Sequence, residues 1–216
     1  MQLNVMLADD HQILRQGLRS LLEKESDLRI AAEVNNGREA LAIAEDAPID
    51  LAIMDVSMPG LNGIEATRKL LDLKPHIKVI GLSMHTDRRF VTEMLRAGAV
   101  GFVSKDSAFE ELVQAIRTVQ SGQVYLSPSA AGVVVDDCVR RSSQPEANAF
   151  SSLTTREREV LQLMAEGRST KQIAMDLGVS TKTVETHRRQ IMEKLEMYSV
   201  AELTKYAIRE GLTTLV

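Results

Sequence analysis

Tryptophan is absent from this chain, and phenylalanine and tyrosine together supply only 3% of it. Any core must be built from aliphatic side chains. The 44% hydrophobic content over 216 residues is enough for that, which excludes a disordered chain and favours two modest domains. Cysteine is limited to Cys138, so no intramolecular disulfide and no thiolate metal cage can form, and a reducing cytoplasm is the simplest setting. Long apolar runs are missing too. The longest uncharged stretch, Thr118 to Val135, is broken by Gly122, Pro128 and Gly132, which argues against membrane association through a bilayer span. Before Asp9 the apolar run reaches only from Leu3 to Ala8, far short of a secretory segment. Internal repeats and low-complexity tracts are likewise absent.

Charge of one sign does not dominate, but it is unevenly spread. Residues 1–150 carry 16 Lys and Arg against 21 Asp and Glu, whereas residues 151–216 carry 10 against 9. The near-neutral C-terminal part does not advertise nucleic acid by bulk charge. Any such role has to come from how its basic residues are distributed.

What is present is a strict alternation. Short Val, Ile and Leu runs at Leu3–Ala8, Leu28–Val34, Leu51–Met54, Lys78–Ser83 and Val100–Val103 read as strands. Helical periodicity follows each, at His11–Lys24, Gly37–Asp46, Gly63–Leu71, Arg88–Arg96 and Ala108–Ser121. Five such units predict an α/β domain over 1–124, a (βα)5 doubly wound parallel sheet with helices on both faces. Residues 125–150, with Pro128, Gly132, Pro145 and several Ser and Ala, read as a linker, with a short helix allowed at Val133–Val135. Over 151–216, four helical stretches (Thr154–Ala165, Ser169–Leu177, Ser180–Leu195 and Ser199–Arg209) predict a small all-α domain. Ser169 with Gln172 fits a capping box, and Ser180 caps the next run.

Ligands of an open parallel sheet gather beyond the carboxyl ends of its strands. Asp9 and Asp10 close the first strand and Asp55 closes the third, so three carboxylates are expected to converge there. Two like charges about 4 Å apart repel by roughly 4 kcal/mol at an effective dielectric near 20, so the cluster needs a cation or a raised pKa. All-oxygen ligation with retained waters suits Mg²⁺, which would also neutralise a phosphoryl donor and leave one carboxylate as nucleophile. Ser83 ends the fourth strand and Lys105 follows the fifth, a hydroxyl and a cation at the same edge. Taken singly, each of these residues is an ordinary strand end or turn residue; their shared position is the signal.

Asp9-Asp10, the run Asp55-Val56-Ser57-Met58-Pro59-Gly60, Ser83 and Lys105 resemble the receiver domain of two-component response regulators. The run from Leu153 to Leu161 and Thr183-Val184-Glu185-Thr186-His187 resemble the LuxR-type helix-turn-helix, and the two in this order resemble the NarL/FixJ family over nearly the whole chain. The resemblance implies phosphorylation of Asp55 by a sensor histidine kinase, with Asp10, Asp55 and the backbone carbonyl of Ser57 ligating Mg²⁺ and Asp9 acting through water. Lys105 and Ser83 would hold the phosphoryl group. Phe102 occupies the family's switch-aromatic position and, lacking a hydroxyl, would act by packing alone; its other reading is an ordinary core aromatic.

The C-terminal domain is then expected to read double-stranded promoter DNA through the helix Ser180–Leu195. Lys182, Glu185, Thr186 and Arg189 share one face, away from Val184, Ile191 and Leu195. Arg189 suits guanine, Glu185 a cytosine amino group and Thr186 a thymine methyl. Lys171, Thr181, Lys182, Thr183, His187 and Arg188 suit the sugar-phosphate backbone. Glu185 is the unusual member, because DNA repels a carboxylate that finds no donor. A charge near +1 predicts weak binding by one copy and a homodimer on two half-sites. By resemblance the dimer element is the last helix, with Val200, Leu203, Tyr206 and Ala207 on one stripe, although such a stripe also suits the domain's own core. RNA polymerase is a further partner that this class admits. No enzymatic turnover is expected; the competing readings are a regulator indifferent to phosphorylation and a Mg²⁺-dependent aspartyl phosphatase, which commonly has an Asp where this chain has Ser57.

Overall fold

The computed structural model describes residues 2–84, 88–106, 108–141 and 149–213. It divides into two compact units, Met1–Ser143 and Gln144–Val216. Among the described residues, no helix is long and apolar enough to cross a membrane.

The first unit is a six-stranded parallel sheet. Its strands are β1 (Leu3–Ala8), β2 (Leu28–Val34), β3 (Leu51–Asp55), β4 (Lys78–Ser83), β5 (Gly101–Ser104) and β6 (Tyr125–Leu126). They lie in the order β2-β1-β3-β4-β5-β6. The chain moves outward from β1 to β2 and then crosses back to β3, so the topological switch point falls between β1 and β3. Their register, Val5 beside Leu51 and Ala8 beside Met54, brings the residues that follow Ala8 level with Asp55.

Period-two alternation decides which face each strand residue covers. Met6 and Ala8 enter one core with Ala52, Met54, Val79 and Phe102; Val5 and Leu7 enter the other with Ile53, Ile80, Leu82 and Val103. The first face is covered by α2 (Gly37–Asp46), α3 (Gly63–Leu73) and α4 (Arg88–Arg96), the second by α1 (Gln12–Leu22) and α5 (Ala108–Gln120). Asn36 and Asn62 start α2 and α3 by accepting hydrogen bonds from the backbone N–H groups of Glu39 and Glu65.

The sequence count stops at five strands, and the structure adds a sixth. The stretch read as linker carries β6, paired to β5 through Gly101 with Tyr125 and Phe102 with Leu126, and then α6 (Pro128–Arg141). Ala130 of α6 is fully buried, and Val133 and Val134 pack against the same core as Phe90, Val91, Met94 and Phe102.

The second unit is all helical: a 3-10 turn at Ala149–Ser152, then α7 (Thr155–Ala165), α8 (Thr170–Asp176), α9 (Thr181–Leu195) and α10 (Val200–Arg209). Reciprocal capping boxes open three of them, at Thr154 with Glu157, Ser169 with Gln172 and Ser199 with Glu202. The Ser180 side chain accepts from the Thr183 N–H at the start of α9. Val160, Leu161, Ile173, Val184, Ile191, Leu195, Leu203, Tyr206 and Ala207 form its core.

Candidate functional site

Asp9 and Asp55 end adjacent strands and are both almost wholly buried, as is Lys105 just beyond β5. Lys105 Nζ lies 2.8 Å from Asp9 Oδ2 and 2.8 Å from Asp55 Oδ2, bridging the two carboxylates with one cation. The Ser57 N–H donates to Asp55 Oδ1 at 3.1 Å, and the His11 N–H donates to Asp9 Oδ1 at 2.7 Å. Asp10 is exposed at the mouth. Burial pushes the Asp55 carboxyl up to about 7; Lys105 opposes this, and the charge of Asp9 adds to it.

The backbone brings these groups together at close quarters. The Gly63 N–H donates to Val56 O at 3.0 Å, and a Cβ at Gly63 would stand 1.9 Å from the carbonyl oxygen of Asp55. Glycine is therefore required there if the start of α3 is to press against the end of β3. Ser83 is buried one residue past Leu82, the register partner of Asp55, and its carbonyl accepts from the Lys105 N–H at 2.8 Å. The structure thus places Asp9, Asp10, Asp55, Ser57, Ser83 and Lys105 at one sheet edge.

His11 is the member that sequence reasoning missed. Its Nδ1 is 2.9 Å from Asp10 Oδ1 and 3.2 Å from Asp9 Oδ1, and Asp9, Asp10, His11 and Asp55 each offer a ligand atom within 4.8 Å of the others. The residues present fit a divalent cation in the chemistry of their donors, which are mainly hard carboxylate oxygens. Asp9 Oδ2 and Asp55 Oδ2 are both held by the ammonium of Lys105.

Phe102 is fully buried, packed with Phe90, Met94 and Ala130. Space for it comes from Gly81 on the neighbouring strand, where a Cβ would lie 2.7 Å from Met94 Cγ and 3.2 Å from Phe102 Cδ2. The Phe102 carbonyl accepts from the Ser127 N–H at 2.9 Å, directly before α6.

In the second unit, α9 buries Val184, Ile191 and Leu195 and exposes Thr181, Lys182, Glu185, Thr186 and Arg189. Gln190 is exposed as well and was not singled out by sequence. Lys171 is exposed on α8. Thr183, His187 and Arg188 are half-buried, and Arg188 Nη1 donates to Thr170 Oγ1 at 3.3 Å, tying α9 to the start of α8. Thr186 Oγ1 donates to the Lys182 carbonyl at 3.0 Å. A shallow cavity of about 320 Å³ flanks the helix, lined by Glu185, Arg188, Arg189, Met192, Glu193 and Tyr198. The exposed Tyr198 in the α9–α10 connection also escaped the sequence reading; an aromatic in a short exposed loop was its only signal.

The stripe expected for dimer contact is largely used inside the domain. Leu203, Tyr206 and Ala207 are buried in the helical core because α10 packs on α7, and Val200 alone of the four is exposed. A side chain already enclosed by its own domain has no surface left for a second copy.

Comparison with known proteins agrees with both halves. Residues 5–117 match the response regulator receiver domain, and residues 151–207 match the bacterial regulatory proteins of the luxR family. The chain is similar to the response regulator UvrY of Escherichia coli (strain K12), with 35% identity over 97% of this chain and 95% of that one. It is also similar to the response regulator GacA of Pseudomonas aeruginosa, with 37% identity over 97% of each. Its fold resembles the two-component response regulator RcsB in complex with DNA, with a TM-score of 0.61 and 26% identity over 95% of this chain and 98% of that one. This chain, a receiver joined to a LuxR-type helix-turn-helix, belongs to the NarL/FixJ family of two-component response regulators and is a DNA-binding transcriptional regulator.

Proposed function

We propose that Asp55 accepts a phosphoryl group from a sensor histidine kinase in the cytoplasm, and that the resulting acyl phosphate changes how homodimers of the chain grip promoter DNA. The observation that carries this reading is the buried pair Asp9 and Asp55 bridged by Lys105 at 2.8 Å on each side, at the switch point of the sheet. In the transfer, an Asp55 carboxylate oxygen forms a bond to phosphorus while the phosphorus–nitrogen bond of a phosphohistidine breaks and the leaving imidazole regains its electron pair. Lys105 stays as a fixed positive charge beside the transferred group, and the Ser57 N–H orients the nucleophile. Asp9, Asp10 and Asp55, with Ser57, would hold Mg²⁺. When bound, that ion neutralises phosphoryl charge that would otherwise repel the carboxylates. Ser83 lies at the same edge and is suited to a bond with the phosphoryl oxygens that exists only after transfer, which biases the Phe102 and α4 face.

On the DNA side, Arg189, Glu185 and Thr186 are cast as base readers, and Thr181, Lys182 and Lys171 as backbone contacts. Thr183, His187 and Arg188 are backbone contacts reached from the edge of the same helix. Because the Thr186 hydroxyl is engaged by its own helix, its methyl is the group offered outward, which supports the thymine reading. The homodimer on DNA draws support from the solved structure of two RcsB dimers bound to two parallel DNAs.

Incubation of the full chain with a phosphohistidine or acetyl phosphate donor and Mg²⁺ tests the reading. A single stoichiometric adduct of about 80 Da, the mass that carries the added charge, is expected in the wild type and not in Asp55→Asn. A wild type that stays unmodified, or whose DNA affinity and oligomeric state do not change on modification, would overturn it.

A further inference from the structure

We infer that Glu193 is a specificity-determining residue of α9: its carboxylate holds the Arg189 guanidinium along the reading face and opposes its swing onto phosphate, so that duplex of arbitrary sequence is bound weakly. The inference rests on the base-reading assignment of Arg189 and adds to it a positioning residue that acts through Arg189.

Charge alternates along that face. Lys182, Glu185, Arg189 and Glu193 are all exposed, and at the pitch of an α-helix they fall within a stripe about 80° wide. A surface built only to attract DNA would carry cations alone; this one carries two cations and two carboxylates. Arg189 stands one turn from a carboxylate on either side, and its Nε lies 3.8 Å from Glu193 Oε1. That separation is too long for a hydrogen bond, so charge alone guides the side chain. The contact falls on Nε and leaves the two terminal nitrogens to present a bidentate edge to guanine.

Nothing in the helix itself asks for this carboxylate. Glu193 lies in the last turn of α9, where the carbonyl end of a helix disfavours negative charge. An Arg followed four residues later by Glu is also the less favourable order for such a pair. The two side chains are 71% and 62% exposed, so their attraction adds little to stability. A position unfavourable to its own helix is explained by what approaches from outside. Arg189 and Glu193 line the shallow cavity beside α9, so a phosphate drawn to Arg189 there meets Glu193 as well. On a non-cognate duplex a flexible arginine gains most by reaching a phosphate. Glu193 opposes that twice, by attracting the guanidinium and by repelling the phosphate. Guanine is neutral and meets no such repulsion.

The test uses the full chain and two duplexes of equal length, one selected by wild-type protein from a randomised pool and one of scrambled sequence. Glu193→Gln is expected to bind the scrambled duplex about fivefold more tightly than wild type, with a slope of log K against log salt steeper by about 0.9 per copy, the mark of one further phosphate contact. Its preference for the selected duplex should fall accordingly. Asp176→Asn removes an exposed carboxylate outside the cavity and reports the effect of net charge alone; it should leave the preference and the slope as they are. In an Arg189→Ala background, Glu193→Gln should act on both duplexes alike and leave the slope unmoved. Equal gains for Glu193→Gln and Asp176→Asn, or a loss of preference on Glu193→Gln that persists without Arg189, would overturn the role of Glu193 while leaving Arg189 as a base reader. An Arg189→Ala variant that keeps the full preference would instead overturn the base-reading assignment, and this inference with it.

Discussion

Gly63 shows how little slack surrounds Asp55. With a Cβ placed 1.9 Å from the Asp55 carbonyl oxygen, Gly63→Ala must push α3 away from β3, a change of the overpacking kind that costs about 1–3 kcal/mol. The expected result is a lower denaturation midpoint together with a slower gain of the phosphoryl adduct, read by intact-mass kinetics. A wild-type midpoint would show that the backbone yields at no cost. Glu157 gives a residue-scale prediction in the other unit. Burial raises its carboxyl, but hydrogen bonds from Lys194 Nζ at 2.7 Å and from the Thr154 N–H and hydroxyl outweigh that and hold it below its ordinary value of 4.5. A depressed native pKa means the ionised form is the stabilised one. Its contribution is present above about pH 4.5 and lost as pH falls through the native value. Acid unfolding of the helical unit, followed by NMR on the full chain, should therefore begin at higher pH in Lys194→Met. An unchanged acid limb would count against the Lys194 bond. Asp9, Asp10, Asp55, Ser83 and Lys105 were legible in the sequence because each closes or follows an apolar run. His11 was not, because a histidine after two aspartates reads simply as the start of a helix.

Element α9 divides its labour by face. Arg189→Ala is expected to relax base preference, with specific and random duplexes drawing closer by about 1–3 kcal/mol, whereas Lys182→Ala should weaken both alike. Competition binding against random duplex separates the two, and equal losses for both variants would remove the assignment. Thr186 offers a sharper test. Its hydroxyl is bonded inside the helix, so Thr186→Val should keep the preference for its base while Thr186→Ser, which lacks the methyl, should lose it. The reverse order would mean that the hydroxyl reads the base. The face of α9 was legible from spacing because Val184, Ile191 and Leu195 repeat at helical intervals. The role of α10 was less so. An apolar stripe has the same period whether it meets α7 or a second copy, and Leu203, Tyr206 and Ala207 meet α7. Two-residue β6 lies below the length at which alternation can be recognised, which is why the sheet read one strand short.

At the scale of the molecule, the near-neutral charge of residues 151–216 makes DNA affinity depend on how many copies engage. If phosphorylation brings two copies onto one duplex, the slope of log K against log salt should roughly double on modification, at about −0.9 per phosphate neutralised. Titrations at several salt concentrations, with and without the acyl phosphate, measure it; equal slopes would show that the modification leaves the count of engaged copies unchanged. Helix α6 has a mechanical consequence of its own. It starts beside Ser127, whose N–H is fastened to the carbonyl of Phe102, and it runs for 14 residues to Arg141. At 1.5 Å per residue that is a rod of about 20 Å, so a pivot of about 10° at its root sweeps the far end through about 3.5 Å. A rearrangement too small to notice at an aromatic ring would leave the receiver magnified, as a displacement comparable to the gap between neighbouring bases.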